Sequence, residues 1–326
     1  MQKSRARAIY HDLLLAREFE QAAAEAYTQG KIAGFLHLYP GEEAVAVGTL
    51  HAADTGDYVV STYREHVHAL VRGIPARAVM AELFGRATGC SGGYGGSMHL
   101  FDRERRFLGG YAIVGETFTV AIGVGYWIAM NGYPDAVLCY FGDGAANQGT
   151  FHESLNMAAL WKLPVLFVCE NNHYQIGTEI HRHTAVPEIH RHGLAYGIPG
   201  RKVDGMDVLA VWEATREALR LIRDGAGPQL LECETYRYRG HSMADPGAYR
   251  SALEVAELAA RDPVTQFERR ACGDGWLRPE ECEAIAARVR EEVEDAVRFA
   301  EESPEPQRLE DFVYAEPFRL YGEESA

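Results

Sequence analysis

Residues 136–172 read AVLCYFGDGAANQGTFHESLNMAALWKLPVLFVCENN, and they carry the clearest indication of the fold. Two apolar runs of strand length, at 136–141 and 164–169, flank a segment at 151–161 with helical character. Strands that are apolar throughout are buried on both faces, and a strand–helix–strand order is typical of parallel sheets covered by helices. The stretch therefore predicts an α/β fold, with a parallel sheet covered by helices on both faces.

The rest of the chain continues this alternation. We predict helices at residues 4–28, from about 42, after 64, at 117–130 as a buried helix, and at 208–223, with strands at 57–61 and 229–235. The glycine-rich segment at 88–97 is predicted to be a loop. From residue 262 onward the chain is charged and helical, with a long acidic helix at 279–302. We expect one domain over residues 1–326, of which 262–326 form a helical extension.

Charge and composition exclude several classes of protein. The chain has 32 Lys and Arg against 47 Asp and Glu, a formal net charge of −15. Nucleic acids and anionic membrane surfaces bind basic patches, so neither is an expected partner. The most apolar stretch, around 119–130, is interrupted by Gly123 and Gly125 and is too short to span a bilayer. The N-terminus has no targeting character and the six cysteines form no CxxC pair, so we expect a cytoplasmic protein with reduced thiols.

Polar loops follow three of the predicted strands. Residues 142–149 read GDGAANQG, residues 170–174 read ENNHY, and a loop rich in Tyr, Arg and Gly follows residue 235. Ligands of parallel sheets bind beyond the carboxyl ends of the strands. Asp143 and Asn172 could supply oxygen ligands to Mg²⁺, and the helix after Asp143 could offer N–H groups to a diphosphate. Either residue alone would be read as a turn residue, whereas the two loops together favour a cation site.

The spacing of these loops adds a resemblance to a known family. GDG and NN are separated by residues 145–170, which are 26 residues, and this pattern resembles the thiamine-diphosphate motif. The surrounding sequence resembles the alpha subunits of thiamine-diphosphate-dependent 2-oxoacid dehydrogenases, most closely those of pyruvate dehydrogenases. The likeness runs from about residue 14 almost to the C-terminus. Further segments that carry it are HLYPGEEA at 37–44, STYREHVHAL at 61–70, GGSMHL at 95–100, VDGMDV at 203–208, YRYRGHSMADP at 236–246 and VYAEP at 313–317.

The resemblance implies a thiamine-diphosphate-binding fold and a role for individual residues. Asp143, Asn172 and the backbone carbonyl of Tyr174 would bind Mg²⁺. His241 is the expected catalytic histidine, since an imidazole can donate to a developing oxyanion or pass a proton to the acceptor. The other implied positions are Tyr63, Arg64, Gly144 and Ala145 at the diphosphate and Ala112 and Val114 at the aminopyrimidine ring. His37, beside the thiazolium and substrate, is the second expected catalytic residue, and His241 is also expected to bind the cofactor. Ala112 stands where the family more often has glycine.

The same resemblance implies an activity and partners. It predicts oxidative decarboxylation of pyruvate and reductive acylation of lipoyl groups on a dihydrolipoyl acyltransferase. The expected assembly has two alpha and two beta chains, and the beta subunit supplies the glutamate that activates the cofactor, so the alpha chain alone should be inactive. Acetoin or branched-chain 2-oxoacids remain alternative substrates, and a non-catalytic cofactor-binding subunit remains an alternative role. A nicotinamide oxidoreductase is disfavoured because no GxGxxG follows a strand.

Three further features are not expected to take part in catalysis. His181-Arg182-His183 and His190-Arg191-His192 are predicted to lie in a surface or partner-facing loop and not in a transition-metal site. Ser242 aligns with a regulatory phosphorylation position of mitochondrial relatives, and regulation is not expected here. The small residues at 121–129 indicate tight helix packing, either at a subunit interface or within the chain.

Overall fold

The computed structural model describes residues 1–307, and over that range it contains a six-stranded parallel sheet with helices on both faces. The strands are β1 (Tyr58–Thr62), β2 (Phe107–Tyr111), β3 (Val137–Gly142), β4 (Val165–Asn171), β5 (Tyr174–Gln175), β6 (Thr178–Glu179), β7 (Gly200–Asp204) and β8 (Gln229–Glu234). The helices are α1 (Lys3–Thr28), α2 (Glu43–Ala52), α3 (His66–Val71), α4 (Ala76–Leu83), α5 (Glu116–Asn131), α6 (Gly149–Leu160), α7 (Val208–Leu221), α8 (Ala252–Ala259), α9 (Pro263–Gly273) and α10 (Pro279–Glu302).

The sheet has the strand order β2-β1-β3-β4-β8-β7, and every neighbouring pair is parallel. All carboxyl ends therefore lie at one edge: Gly142 at the end of β3 pairs with Glu170 of β4, and Asn171 pairs with Glu234 of β8. The small strands β5 and β6 form a separate antiparallel hairpin just beyond β4. The predicted parallel sheet is confirmed.

Alternate residues of the central strand β3 pack on opposite sides of the sheet. Leu138 and Tyr140 belong to the core shared with α1, α2, α4, α7, α9 and α10, whereas Val137 and Cys139 belong to the core formed with α5 and α6. This alternation explains why the strand is apolar at every position: each face is covered by helices. The prediction of helices on both faces is confirmed.

Most predicted elements are present, and the missed ones have weak patterns. The acidic helix at 279–302 has the predicted bounds in α10, and the helix predicted at 4–28 is α1. Strand β2 was not predicted because its sequence FLGGY contains two glycines, which weaken a strand. Strand β7 was missed because its sequence GRKVD is largely charged, which suits its exposed position at the sheet edge.

One local expectation needs correction. The helix predicted as buried at 117–130 is α5, and one face of it is exposed, with Met130 at 67% and Trp127 at 46% of their full accessible surface. The helix predicted at 151–161 is α6, and a 3-10 turn, Asp143–Asn147, lies between β3 and Gly149, its first residue. The sequence of a helix does not show which face is buried when the exposed face is also apolar, as it is in α5.

The C-terminal helices share the main core. Phe267 of α9 and Val289 of α10 pack in the same cluster as Leu13 of α1, which supports the proposal of a single domain. The VYAEP segment at 313–317 lies outside the described residues, as does the end of the extension predicted at 262–326. Across residues 1–307, every helix falls short of the length or the apolar character that crossing a bilayer would need.

Candidate active site

A cavity of about 300 Å³ opens at the carboxyl edge of the sheet, and loops from five strands line it. Tyr63 and Arg64 follow β1, Ala112 follows β2, Asp143 follows β3, Asn172 follows β4, and His241 follows β8. Because all six main strands run in the same direction, these loops meet at one place although they are far apart in sequence. The structure brings together every site residue predicted from the sequence: His37, Tyr63, Arg64, Ala112, Val114, Asp143, Gly144, Ala145, Asn172, Tyr174 and His241.

The two predicted oxygen ligands lie in the cavity wall in different environments. Asp143 is 1% exposed, and its Oδ2 atom is buried with no hydrogen-bond partner among the described residues. The Asn172 side chain donates from Nδ2 to Glu42 (3.1 Å), and its Oδ1 accepts from the backbone N–H of Tyr174 (3.2 Å). A buried acceptor without a donor is costly, so the free carboxylate oxygen indicates a site shaped for a positively charged or donor group.

The asparagine pair has divided roles. Asn171, the last residue of β4, turns away from the cavity and donates from Nδ2 to the Glu232 carboxylate (2.7 Å), while its Oδ1 accepts from the backbone of His173 (3.1 Å). Asn172 lines the cavity. The first asparagine therefore braces the turn, and the second is available to a ligand.

Arg64 is buried in the cavity wall and held by backbone carbonyls. Its guanidinium donates to the carbonyls of Leu38 (2.6 Å) and His241 (2.9 Å), and its Nε atom lies 3.8 Å from Oε2 of Glu42. These contacts tie the loops after α1, β1 and β8 to one side chain. A guanidinium fixed in this way presents a positive charge to the cavity at little further cost in conformational entropy.

Three rings form an aromatic cluster at the cavity. The ring centroids of His37 and Tyr63 are 4.4 Å apart, and those of His37 and His241 are 5.1 Å apart. Burial, and then the neighbouring charge of Arg64, lowers the pKa of His37 to about 2 and that of His241 to about 3. Both imidazoles are therefore uncharged near neutral pH in the ligand-free chain, and the Nδ1 atom of each is buried without a hydrogen-bond partner among residues 1–307.

Glu42 and Arg237 are among the charged residues of this wall that the sequence did not predict as part of the site. Glu42 is 1% exposed, and burial raises its pKa to about 7 against the lowering effect of Arg64. Arg237 is 2% exposed and donates to the carbonyl of Ile176 (3.0 Å) and to the Tyr249 hydroxyl (3.1 Å). Both lie in segments that carried the resemblance, HLYPGEEA and YRYRGHSMADP. In both segments apolar or aromatic residues lie close to the charged one in sequence, and this pattern could have indicated that Glu42 and Arg237 are buried.

The histidine-rich loop also departs from its interpretation as surface. His181 is exposed, as predicted, but the side chain of His183 is only 9% exposed and lies beside Asp143. His190 contacts the buried Glu232 carboxylate through Nδ1 (2.6 Å). The surface placement is therefore wrong for the His183 side chain, because the chain after β6 folds back over the turn after β3, and the partner-facing alternative stays a prediction.

Comparison with known proteins gives the family. A family model described as dehydrogenase E1 component matches residues 11–308. The chain belongs to the dehydrogenase E1 component family. Its relatives include the pyruvate dehydrogenase E1 component subunit alpha-3, chloroplastic, of Arabidopsis thaliana, which is 48% identical over 317 residues, or 95% of this chain and 74% of that protein. A pyruvate dehydrogenase E1 component subunit alpha of Rhizobium meliloti (strain 1021) is 48% identical, covering 91% of this chain and 86% of the relative, and one of Porphyra purpurea is 47% identical, covering 91% and 89%.

Membership of the dehydrogenase E1 family implies thiamine diphosphate as cofactor, and the cavity suits such a group. It pairs a cationic wall at Arg64 with the apolar side chains of Ala112 and Val114. At Gly144 a Cβ atom would lie 2.7 Å from Cγ of Gln175, so glycine lets the Gln175 side chain pack closely against this part of the cavity wall. The E1 cavity thus offers a positive charge to a diphosphate and apolar side chains to a ring.

Proposed function

We propose that this chain is the alpha subunit of the decarboxylating component of a 2-oxoacid dehydrogenase complex and that its substrate is pyruvate. The observation that carries the proposal is the convergence of Arg64, Asp143, Asn172 and His241 on one cavity at the carboxyl edge of the sheet. The relatives named as pyruvate dehydrogenase alpha subunits support the choice of substrate. The chain would act in the cytoplasm, which the six free thiols support.

In this proposal Asp143, Asn172 and the Tyr174 carbonyl would hold Mg²⁺, which would supply positive charge to offset that of the diphosphate. Mg²⁺ favours oxygen ligands and commonly shares them between carboxylates and phosphates. The position of the Asp143 carboxylate, 1% exposed in the cavity wall beside Asn172 and Tyr174, supports this assignment. Arg64, with Tyr63 packed beside it, would bind the diphosphate through charge-assisted hydrogen bonds. Ala112 and Val114 would contact the aminopyrimidine ring.

Thiamine diphosphate supplies, when bound, a carbon nucleophile and an electron sink for the loss of carbon dioxide. The chain's own contribution is to orient the reactants and to handle protons. His241 lies beside the proposed diphosphate site, in a loop fixed by a hydrogen bond from its backbone N–H to Asp245 (2.6 Å). A bound anion raises the pKa of a nearby imidazole, so the diphosphate would move His241 toward the range in which it can exchange protons. His37 would hold the His241 ring in place and contact the substrate.

The cavity is open on one side, which supports a partner chain. Ile113 is 70% exposed, Ile176 is 60% exposed, and Val114 is 44% exposed, so the rim of the site is apolar and uncovered. Exposed apolar groups beside a binding site are typical of interaction surfaces. We propose that a beta subunit covers this rim in an assembly of two alpha and two beta chains, and that a lipoyl-bearing acyltransferase then accepts the acyl group.

The test is decarboxylation by the chain co-expressed with its beta subunit. With thiamine diphosphate, Mg²⁺ and an artificial electron acceptor, we expect turnover of pyruvate and a loss of at least about 100-fold in Asp143→Ala, because the cation would lose its carboxylate ligand. The alpha chain alone should show no turnover. A preference for a branched-chain 2-oxoacid would keep the reaction class and overturn the substrate. Turnover of acetoin, which has no carboxyl group to lose, would overturn decarboxylation as well and keep only the cofactor. A stable assembly that turns over none of these substrates would overturn the proposal.

A further inference from the structure

His183 faces the proposed cation ligand Asp143 across a buried gap. Its Nε2 atom lies 3.4 Å from Oδ2 of Asp143, and the two side chains are 9% and 2% exposed. Within residues 1–307, neither atom has a hydrogen-bond partner. Two buried polar atoms that face each other at this distance need only a small shift to form a hydrogen bond.

The contacts on the other side of the ring decide which nitrogen carries the proton. Nδ1 of His183 lies 3.3 Å from Nδ2 of Asn147 and 2.7 Å from Oγ1 of Thr184. The Asn147 amide nitrogen can only donate, and it also donates to Oγ1 of Thr184 (2.8 Å). The threonine hydroxyl is then free to donate its own proton to Nδ1. Nδ1 is therefore the acceptor, and Nε2 carries the proton toward Asp143.

The loop that presents His183 is anchored in the core. Ile180, three residues earlier, is 2% exposed, and its carbonyl accepts from the backbone N–H groups of His183 (3.2 Å) and Thr184 (2.9 Å). By contrast, the side chain of His181 in the same loop is 71% exposed. The position of the His183 ring is thus set by the packing of its own loop, independently of any ligand.

We infer that His183 is a positioning residue, which donates its Nε2 proton to Asp143 and fixes that carboxylate in one orientation for the cation. This inference rests on the proposed function, in which Asp143 binds Mg²⁺. A nitrogen that carries a proton has no lone pair for a metal, so His183 acts on the ligand and is not itself a ligand. Groups that hydrogen-bond to metal ligands commonly change metal affinity when they are removed.

The experiment measures binding of Mn²⁺, a paramagnetic substitute for Mg²⁺, by electron paramagnetic resonance. The full chain is used together with its beta subunit, at saturating thiamine diphosphate. His183→Leu should weaken Mn²⁺ binding about 10-fold, in the range found for groups that support metal ligands. His183→Gln should stay within about threefold of the unmodified protein, because its amide N–H₂ reaches the place of Nε2 and can still donate.

Two controls make the outcome specific. His181→Gln changes an exposed histidine of the same loop and should leave Mn²⁺ affinity unchanged. Thr184→Val keeps the shape of a buried side chain while removing the donor to Nδ1, so it should weaken binding in the same direction by about threefold, even if His183→Leu does not fold.

The outcomes separate this inference from the proposed function. If Asp143→Ala abolishes Mn²⁺ binding while His183→Leu and Thr184→Val both bind within twofold of the unmodified protein, His183 has no positioning role. If Asp143→Ala also binds Mn²⁺ normally, the proposed cation site itself is wrong. Weakening by leucine with recovery by glutamine is the result that supports the inference.

Discussion

The imidazoles of His37 and His241 share the cavity wall with the buried guanidinium of Arg64. Burial and this neighbouring charge keep both rings unprotonated well below neutral pH, with the pKa of His241 lowered to about 3. An unfolded chain has no such restraint, and its histidines titrate near their ordinary value. Because these histidines take up protons more readily in the unfolded chain, acid lowers the free energy of unfolding.

The first residue-scale prediction concerns the pH dependence of folding. His241 has a folded pKa below its unfolded value, so the unfolded chain takes up a proton that the folded chain does not, and stability falls as pH drops from about 6.5 toward 3. His241→Asn should remove about 1 kcal/mol of the stability loss between pH 7 and pH 5, after allowance for solvent screening. Denaturant unfolding at the two pH values measures the difference.

The control is an exposed histidine. His181→Asn should leave the dependence of stability on pH unchanged, because its side chain is 71% exposed and contacts only a surface carboxylate. Equal acid sensitivity of the His241→Asn variant and the unmodified chain would show that His241 is not held unprotonated by its surroundings.

For individual residues, the sequence predicted which side chains line the cavity wherever those residues belong to a motif. Asp143 and Asn172 follow apolar strands, and parallel topology then requires them to meet. His183 could not be found in this way, because its place depends on how the loop after β6 folds back, and that path has no periodic pattern. Glu42 and Arg237 were likewise hidden, since charge alone does not reveal burial.

At the scale of elements, the glycine-rich loop at 88–97 shows how a segment without regular structure is ordered. The Glu82 carboxylate at the end of α4 accepts four backbone hydrogen bonds from this loop. The donors are the N–H groups of Ser91 (2.8 Å), Gly93 (2.8 Å), Gly95 (2.8 Å) and Gly96 (3.1 Å). The prediction of a loop is therefore correct. Its shape depends on Glu82 of α4, and the sequence around Glu82 does not indicate that its carboxylate binds this loop.

This arrangement gives a prediction for stability. Glu82→Gln replaces one acceptor oxygen by a donor that faces backbone N–H groups, so it should lower the free energy of unfolding by about 2 to 4 kcal/mol. The matched control is Glu217→Gln, since Glu217 is 58% exposed and, within residues 1–307, its carboxylate pairs with Arg201 alone, at the surface (3.0 Å). Its cost should stay below about 1 kcal/mol.

Denaturant unfolding of both variants, with limited proteolysis of the loop, distinguishes the two outcomes. Unfolding free energies that fall equally in Glu82→Gln and Glu217→Gln would mean that the loop is ordered by other contacts.

At the scale of the whole molecule, two apolar surfaces are left uncovered among the described residues. One is the rim of the cavity, and the other is the α5–α6 face, formed by Tyr126, Trp127, Met130, Tyr133, Met157, Leu160 and Trp161. The sequence predicted tight packing at 121–129 but left open whether the packing is internal. Periodicity cannot separate the two cases, because an interface face and a core face are both apolar.

The α5–α6 face predicts a dependence of assembly on single residues. Leu160 is 70% exposed on this face, and Leu160→Arg should dissociate the proposed assembly of two alpha and two beta chains while the fold is kept, because an arginine would be buried at a contact between chains. Analytical ultracentrifugation gives the mass. Glu291→Arg, on the exposed side of α10, is the control and should assemble normally. Full-size assemblies of Leu160→Arg would place the contact between chains elsewhere.

The uncovered rim at Ile113 and Ile176 gives the proposed assembly a consequence for gene dosage. If each working pocket needs one chain of each kind, the scarcer of the two would set the number of pockets. A surplus of this chain would then add no turnover, and it would withdraw cofactor from circulation if the proposed diphosphate-binding residues hold the cofactor without the beta subunit. Under this proposal, balanced synthesis of the two chains would give the most turnover for the protein made.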